Sequence, residues 1–156
     1  MKRPLVLLLL ALVATVGWCS LPRAAKDGQI HQDELSTTRI YAYRDWQGTG
    51  VRVHRGDHIW IRAEGTWLYT PGEYHGPGGH RRYSAPSFYP MPGLPGGILI
   101  GRVGTDGVLR RVGGGASWRA TNDGQIYLRI NDDILSDNDG HVEIGITVES
   151  GEDDTG

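Results

Sequence analysis

The stretch Gln125-Ile126-Tyr127-Leu128-Arg129-Ile130 decides the fold, because its apolar residues recur at every second position. Ile126, Leu128 and Ile130 then share one face of an extended strand, and the polar residues take the other face. The segment Val142–Val148 repeats this alternation a short distance later. Strands with one apolar face predict antiparallel sheets that bury one side and expose the other to solvent.

Further short strands are predicted upstream of these two. His58–Ala63 alternates in the same way, and shorter candidates lie at Val51–Val53, Ile98–Ile100 and Arg39–Tyr43. Glycine is abundant, with 24 residues in a chain of 156, which argues against long helices. Turns rich in Gly, Pro and Asp separate the strands. The sequence therefore predicts an all-β fold, a jelly-roll-like antiparallel β-sandwich.

The N-terminus has the pattern of a secretory signal. Met1-Lys2-Arg3 is basic, and the apolar run Leu5–Val16 is too short for a comfortable membrane span. We expect a signal peptide over 1–25, although no small-x-small pair marks its cleavage site. The domain is then exported to the periplasm or the cell exterior. A form anchored through lipid on Cys19, or through an uncleaved signal, stays open.

The remaining chain divides into three parts. We expect a flexible tether over 26–37, the β-sandwich over 38–149 and an acidic tail over 150–156. Cys19 is the only cysteine, so the domain has no disulfide. About 125 residues can bury a usable core without one.

Charge excludes two classes of partner. The formal net charge is −2, and no basic stripe runs along the chain. Nucleic acid is therefore an unlikely partner. No membrane contact is expected beyond the N-terminal anchor, because nothing attracts the domain to an anionic surface.

The segment between the two alternating strands crowds carboxylate and amide side chains into one short loop. Asp132, Asp137 and Asn138 are hard oxygen donors, and their mutual repulsion must be neutralised. Ca²⁺ does this well, because it takes about 6–8 oxygen ligands from side chains, carbonyls and waters. An acidic turn without a metal is the alternative, since Asp, Asn, Ser and Gly are ordinary turn residues.

A second unusual segment runs from Thr70 to Gly97. It is crowded with proline, glycine and tyrosine, and it also holds His75 and His80. Loops of this length in compact domains are usually functional or disordered, and the aromatic residues argue against disorder. We expect an ordered surface loop with a binding role.

Six short motifs, all within about residues 49–148, resemble a known family when taken in order. They are Gly56-Asp57 leading into Ala63-Glu64-Gly65, Tyr69-Thr70-Pro71, Gly76-Pro77-Gly78-Gly79, Gly97–Gly104, Asn131-Asp132 and Asn138-Asp139-Gly140. In this order they resemble the PA-I-type (PA-IL-like) galactophilic lectins of bacteria. The resemblance implies a calcium-dependent, galactose-binding β-sandwich of the galactose-binding-domain-like type, without catalysis.

The resemblance also implies a set of calcium ligands. Side-chain oxygens would come from Asp132, Asp137 and Asn138. Backbone carbonyls would come from Tyr69 and Ser136, so that the ion joins two distant loops. One family asparagine has become Asp137, which keeps an oxygen donor and adds a negative charge.

The sugar pocket follows the family less closely. The family's sugar-contacting histidine falls on Tyr83 and its glutamine partner falls near Pro86, while His80 is near enough to substitute if the loop shifts. The sugar would contact side chains that form the walls of the pocket and residues that also bind the calcium ion. This carbohydrate-binding set is Tyr69, Pro71, His80, Tyr83, Asp132, Ser136 and Asp137.

The sequence thus favours an exported, calcium-dependent carbohydrate-binding module, with galactose-type sugars as candidate ligands. His-Glu-x-x-His and nucleophile-elbow motifs are absent, so we do not expect an enzyme. One alternative is an envelope structural or assembly domain that binds calcium but no sugar. A weaker alternative is a hydrolase that uses the aspartate cluster and His80. Because weak lectin sites gain from multivalency, a homo-oligomer stays a candidate assembly.

Overall fold

The computed structural model describes residues 35–151, and all regular structure in this range is β-strand. The predicted signal over 1–25, most of the tether and the end of the acidic tail lie outside the described residues. Nine strands occur within 35–151: β1 Ser36–Tyr41, β2 Gln47–Val53, β3 His58–Thr70, β4 Glu73–His75, β5 Leu99–Val103, β6 Arg110–Arg111, β7 Gly115–Arg119, β8 Gly124–Ile130 and β9 Asp139–Glu149.

The strands form two antiparallel sheets, which confirms the predicted all-β sandwich. The first sheet has the order β1-β9-β3-β4, and β7 also pairs with β3. β4 and β7 pair with opposite ends of the long β3, at Trp67–Thr70 and His58–Arg62 respectively. The second sheet has the order β2-β8-β5-β6. Within the described range no helix is long and apolar enough to cross a membrane.

The core lies between the sheets and follows the predicted alternation. The inward-facing residues of β3, β8 and β9 are almost fully buried: Ile59, Ile61, Ala63, Ile126, Leu128, Ile130, Val142, Ile144 and Ile146. Each buried aliphatic side chain of this size contributes about 1.5–3 kcal/mol, so these strands alone supply a substantial core. The large ring of Trp67 is also fully buried, and its Nε1–H donates to the Gly97 carbonyl at 3.0 Å.

Several strands extend beyond their predicted ends. β3 continues from the predicted Ala63 to Thr70, and β1 begins at Ser36, two residues before the predicted start of the domain. The short strands β4, β6 and β7 have no counterpart among the predicted segments. β7 is held by its pairing with β3, and its Ala116 and Trp118 pack against the core as half-buried side chains.

Three strand ends meet at one end of the sandwich. Leu68 of β3 pairs with Asp139 of β9, so Tyr69 lies one step beyond the paired region, beside the start of β9. β8 ends at Ile130, and residues 131–138 cross from its sheet to β9 in the other sheet. This crossing therefore brings the acidic loop to the end of β3.

The long loop 76–98, which follows β4, is fixed against the same end. Asn131 is fully buried, and its Oδ1 accepts the Met91 N–H while its Nδ2 donates to the Met91 carbonyl, both at 2.9 Å. The main chain of Asn131 also pairs with Gly97 and Ile98. One side chain thus satisfies the backbone N–H and carbonyl of Met91, which lies outside the strands.

Candidate functional site

A cavity of about 340 Å³ opens where these three strand ends and the long loop meet. Six of the residues that the sequence assigned to calcium or sugar line it: Tyr69, Pro71, His80, Tyr83, Asp132 and Asp137. Five further residues line it that the sequence did not assign: Thr70, Arg82, Tyr89, Asp133 and Ile134. The structure thus brings together residues that lie more than 60 positions apart in the chain.

Asp132 is the most deeply placed carboxylate of the cavity, with a residue exposure of 3%. Its Oδ1 accepts the N–H of Asp133 at 2.8 Å, and its Oδ2 accepts the Nδ2–H of Asn138 at 2.7 Å. Burial raises the pKa of Asp132, because a charged carboxylate loses hydration there, and the hydrogen bonds from Asn138 and Tyr89 only partly oppose this. A cation at this position would relieve that penalty.

Asn138 is buried beside Asp132 and contributes an amide. Its Nδ2 donates to Asp132 and, at 3.2 Å, to the carbonyl of Ile134. Its Oδ1 is buried and has no hydrogen-bond partner. Buried polar atoms nearly always have a partner, so an orphaned oxygen beside a buried carboxylate needs an explanation. A hard cation would account for it, and this donor set fits the oxygen ligands that Ca²⁺ prefers.

The charge of the cavity also suits a cation. Asp132, Asp133 and Asp137 face it, and the single guanidinium that lines it belongs to Arg82. Asp133 and Asp137 are exposed, whereas Asp132 is buried. The negative charge is therefore concentrated on one wall, with its least solvated member at the base.

Arg129 holds the base of the acidic loop. Its Nη2 donates to the Asp132 carbonyl at 2.6 Å, its Nε donates to the Ile130 carbonyl at 3.0 Å, and its Nη1 is paired with Asp45. Burial lowers the pKa of Arg129, and the charges of Asp45 and Asp132 oppose this effect. Sequence reasoning missed this role because Arg129 lies on the polar face of β8, where a solvated arginine is ordinary.

Two tyrosines form a wall of the cavity next to the acidic loop. The hydroxyls of Tyr69 and Tyr89 lie 3.1 Å apart, and the Tyr89 hydroxyl also interacts with Asp132. Burial raises the pKa of both tyrosines. The aromatic content of the long loop was the only sequence signal for Tyr89, and it did not single this residue out.

His80 and Tyr83 form the outer rim. Their ring centroids lie 6.3 Å apart, and Tyr83 lies 6.4 Å from the ring of Tyr69. Tyr83 is 44% exposed, so part of its ring faces solvent at the mouth of the cavity. His80 and Tyr83, the two positions that the sequence resemblance offers for a sugar-contacting histidine, therefore both line this cavity.

Three expected participants lie outside this cavity lining, the buried Asn138 among them. Ser136 is exposed in the turn next to Asp137, and Pro86 is half-buried in the long loop. The roles proposed from the family for the Ser136 and Tyr69 carbonyls stay predictions. The side chain of Tyr69 is instead a clear part of the wall.

Comparisons with known proteins give the fold. No protein-family model matches the chain, and no curated protein matches it. Among solved structures, the chain is similar to one described as "EclA N-terminal domain; PllA-like lectin", with a TM-score of 0.57 and 22% identity. The match covers 74% of this chain and 98% of that domain. At this identity the likeness shows that the chain has the β-sandwich fold of that lectin domain.

Proposed function

We propose that the chain is a non-catalytic, calcium-dependent carbohydrate-binding module, with galactose-type sugars as its ligands. The observation that carries the proposal is the buried Oδ1 of Asn138, which has no hydrogen-bond partner. The Nδ2 of the same amide donates a hydrogen bond to Asp132. The fold shared with a PllA-like lectin domain supports a carbohydrate ligand.

The ligands proposed for the ion are oxygens from both sides of the crossing loop. Asp132, Asp137 and Asn138 would supply side-chain oxygens, and Tyr69 and Ser136 would supply carbonyls. The negative wall of the cavity supports this assignment, because a divalent cation would neutralise carboxylates that now repel one another. When bound, calcium would offer its remaining coordination positions to two vicinal hydroxyls of a sugar.

The chain's own residues would orient the sugar. Tyr69 and Pro71 offer apolar surface to the C–H face of a sugar ring, while Asp132 and the Tyr89 hydroxyl offer hydrogen bonds near the ion. His80 and Tyr83 at the rim would select among hydroxyl arrangements. A small cavity with a few placed polar groups is typical of such ligand sites.

A glycan array in calcium buffer tests the proposal. We expect binding to galactose-terminated glycans that is abolished by EGTA and by Asp132→Asn. The matched control is Asp106→Asn, which removes an exposed carboxylate far from the cavity and should leave binding unchanged. Binding that persists in EGTA would contradict calcium dependence. A silent array beside clear calcium binding would favour the structural or assembly domain instead.

A further inference from the structure

A second group of metal-binding side chains lies outside the acidic loop. Glu73 and His75 both belong to β4, where residues two apart point to the same face of the strand. His80 follows at the end of a glycine-rich turn. One ligand atom from each of the three residues can be chosen so that all lie within 4.8 Å of one another.

The turn that returns His80 to β4 is rigid. The N–H of Gly79 donates to the Gly76 carbonyl at 3.0 Å, and the N–H of His80 donates to the Gly96 carbonyl at 2.8 Å. Gly79 has a φ of +75°, and a Cβ there would lie 2.6 Å from the oxygen of Gly96. Only glycine fits this approach, so the backbone holds His80 over β4 before any ligand binds.

Two of the three separations between ligand atoms are close to those of a tetrahedral site. The Oε2 of Glu73 lies 3.6 Å from the Nε2 of His75 and 3.8 Å from the Nε2 of His80. Ligands at zinc distances are separated by roughly 3.3 Å, so movements of a few tenths of an ångström would bring Glu73 to that separation from each histidine. The ligand atoms of all three residues lie within 4.8 Å of one another, so the two imidazoles would also have to move closer together. The Glu73 side chain is 61% exposed and free to make that movement.

The two imidazoles are partly buried, and the Nε2 of His75 lies 3.3 Å from the Oγ1 of Thr70, a contact that a metal at this nitrogen would replace. Their side chains are 15% exposed in His75 and 24% exposed in His80, and their ring centroids lie 4.7 Å apart. The Nδ1 of His80 accepts the N–H of Arg82 at 3.2 Å. Metal binding at Nε2 requires the tautomer that is protonated at Nδ1. The hydrogen bond from Arg82 would then be lost, and because it is exposed, water would replace it at little cost.

We propose that Glu73, His75 and His80 form a site for Zn²⁺, separate from the oxygen-rich acidic loop. Imidazole nitrogens select zinc and its neighbours over calcium, and two histidines with one carboxylate leave a fourth position open to solvent. A second, shallow cavity surrounds these three side chains, and Arg81 and Arg82 border it. Their charges weaken the attraction of a cation, but both residues are exposed and are screened by salt. His80 also lines the first cavity, but the zinc assignment does not depend on the proposed sugar binding.

Zinc titration by calorimetry tests the proposal. The full chain carries Cys19→Ser, which removes the single cysteine as an alternative ligand, and excess calcium occupies any oxygen-rich site. We expect one zinc per chain, and Co²⁺ in its place should give the visible absorption of a tetrahedral nitrogen and oxygen site. His75→Ala, His80→Ala and Glu73→Gln should each weaken zinc binding by ~100-fold or more, since losing even an outer partner of a ligand costs about 10–100-fold.

The control is His54→Ala, which removes a histidine with an 84% exposed side chain outside the cluster and should leave zinc affinity unchanged. Glu73→Gln alters an exposed side chain and therefore keeps the test valid even if a histidine variant fails to fold. The proposal is overturned if the parent chain binds no zinc at one equivalent. It is equally overturned if Glu73→Gln or His75→Ala binds zinc as tightly as the parent.

Discussion

Asn138 donates its Nδ2–H to the Oδ2 of Asp132 at 2.7 Å, while the Oδ1 of the same amide is buried without a partner. Leaving such an oxygen unsatisfied costs about 1–3 kcal/mol. The neighbouring carboxylate bears a burial penalty as well, as its raised pKa indicates. Both costs fall at one point of the fold, and a bound cation would offset both.

The first prediction concerns the charge of Asp132. In calcium-free solution at neutral pH, Asp132→Asn should leave the melting temperature equal or slightly raised, because it removes a buried charge. The Asn138 amide can turn so that its free Oδ1 accepts from the new side chain. Calcium should then raise the melting temperature of the parent and leave the variant unchanged, because the ion stabilises only the folded state that binds it.

Thermal melts with EGTA or calcium provide the measurement. Asp106→Asn is the matched control and should keep the full calcium-dependent shift. A parent that melts identically in both buffers would contradict the ion site, and so would a variant that keeps its calcium response.

The second prediction concerns the Asn131 clamp, the set of hydrogen bonds between the Asn131 side chain and the backbone of the long loop. Asn131→Ala removes three side-chain hydrogen bonds, two with Met91 and a longer one to the Pro95 carbonyl at 3.5 Å. The Met91 N–H and carbonyl lose these partners, so the free energy of unfolding should fall by about 2–4 kcal/mol. Asn122→Ala is the comparison, because Asn122 is half-buried and donates to the Val103 carbonyl at 2.9 Å. Urea denaturation should show a loss for Asn122→Ala of only about 1 kcal/mol. Equal losses in the two variants would refute the clamp.

The third prediction separates backbone strain from crowding at the cavity wall. Gly97 and Gly93 both have positive φ, at +72° and +80°. A Cβ on Gly97 would lie 2.5 Å from the Cγ of Tyr69, whereas a Cβ on Gly93 meets nothing within 4 Å. Alanine at either position costs about 1–2 kcal/mol in backbone strain.

Gly97→Ala should therefore destabilise the fold by a further ~1–3 kcal/mol and displace the Tyr69 ring. Its sugar affinity should fall, while Gly93→Ala should keep the affinity of the parent. Chemical denaturation and sugar titration on both variants give the comparison. If the two variants behave alike, Tyr69 is not held against Gly97 as described.

The fourth prediction follows from the paired tyrosine hydroxyls. Burial raises the pKa of Tyr69 and Tyr89 above the ordinary value near 10. Because the folded-state pKa exceeds the unfolded one, the stability from these hydroxyls is complete below about pH 10 and is lost as the pH rises through the folded values. Tyr89→Phe should reduce this alkaline loss.

Denaturation of the calcium-free protein at about pH 9 and pH 11 measures the effect. Tyr74→Phe is the control, because Tyr74 is 63% exposed and its replacement should leave the alkaline loss unchanged. An equal loss in the parent and in Tyr89→Phe would contradict the pKa shift of Tyr89.

The central strands were predictable because their signal is local. β3, β8 and β9 bury every second residue, and the alternation is visible in the sequence. The end of β3 was harder to predict, because Glu64, Gly65 and Thr66 interrupt its buried pattern before Trp67 restores it. β7 has few apolar residues of its own, and its pairing with β3 depends on partners more than 50 positions away.

The residues of the candidate site also fall into those that were predictable from local sequence and those that were not. Asp132, Asp137 and Asn138 lie within seven positions of one another, so their proximity was visible in the sequence. The position of Tyr89 in the wall depends on the path of a long loop, and that path is set by the distant bonds of Asn131. Such contacts leave no periodic trace in the sequence, which is why Tyr89 was not predicted.

Calorimetric titration of calcium into the EGTA-treated and dialysed protein, followed by galactose on the same sample, tests the central claim most directly. The account predicts one calcium per chain at the acidic loop, loss of that binding in Asp132→Asn, and galactose heat only after calcium is present. No calcium heat in the parent chain, or equal calcium binding by Asp132→Asn, would contradict it.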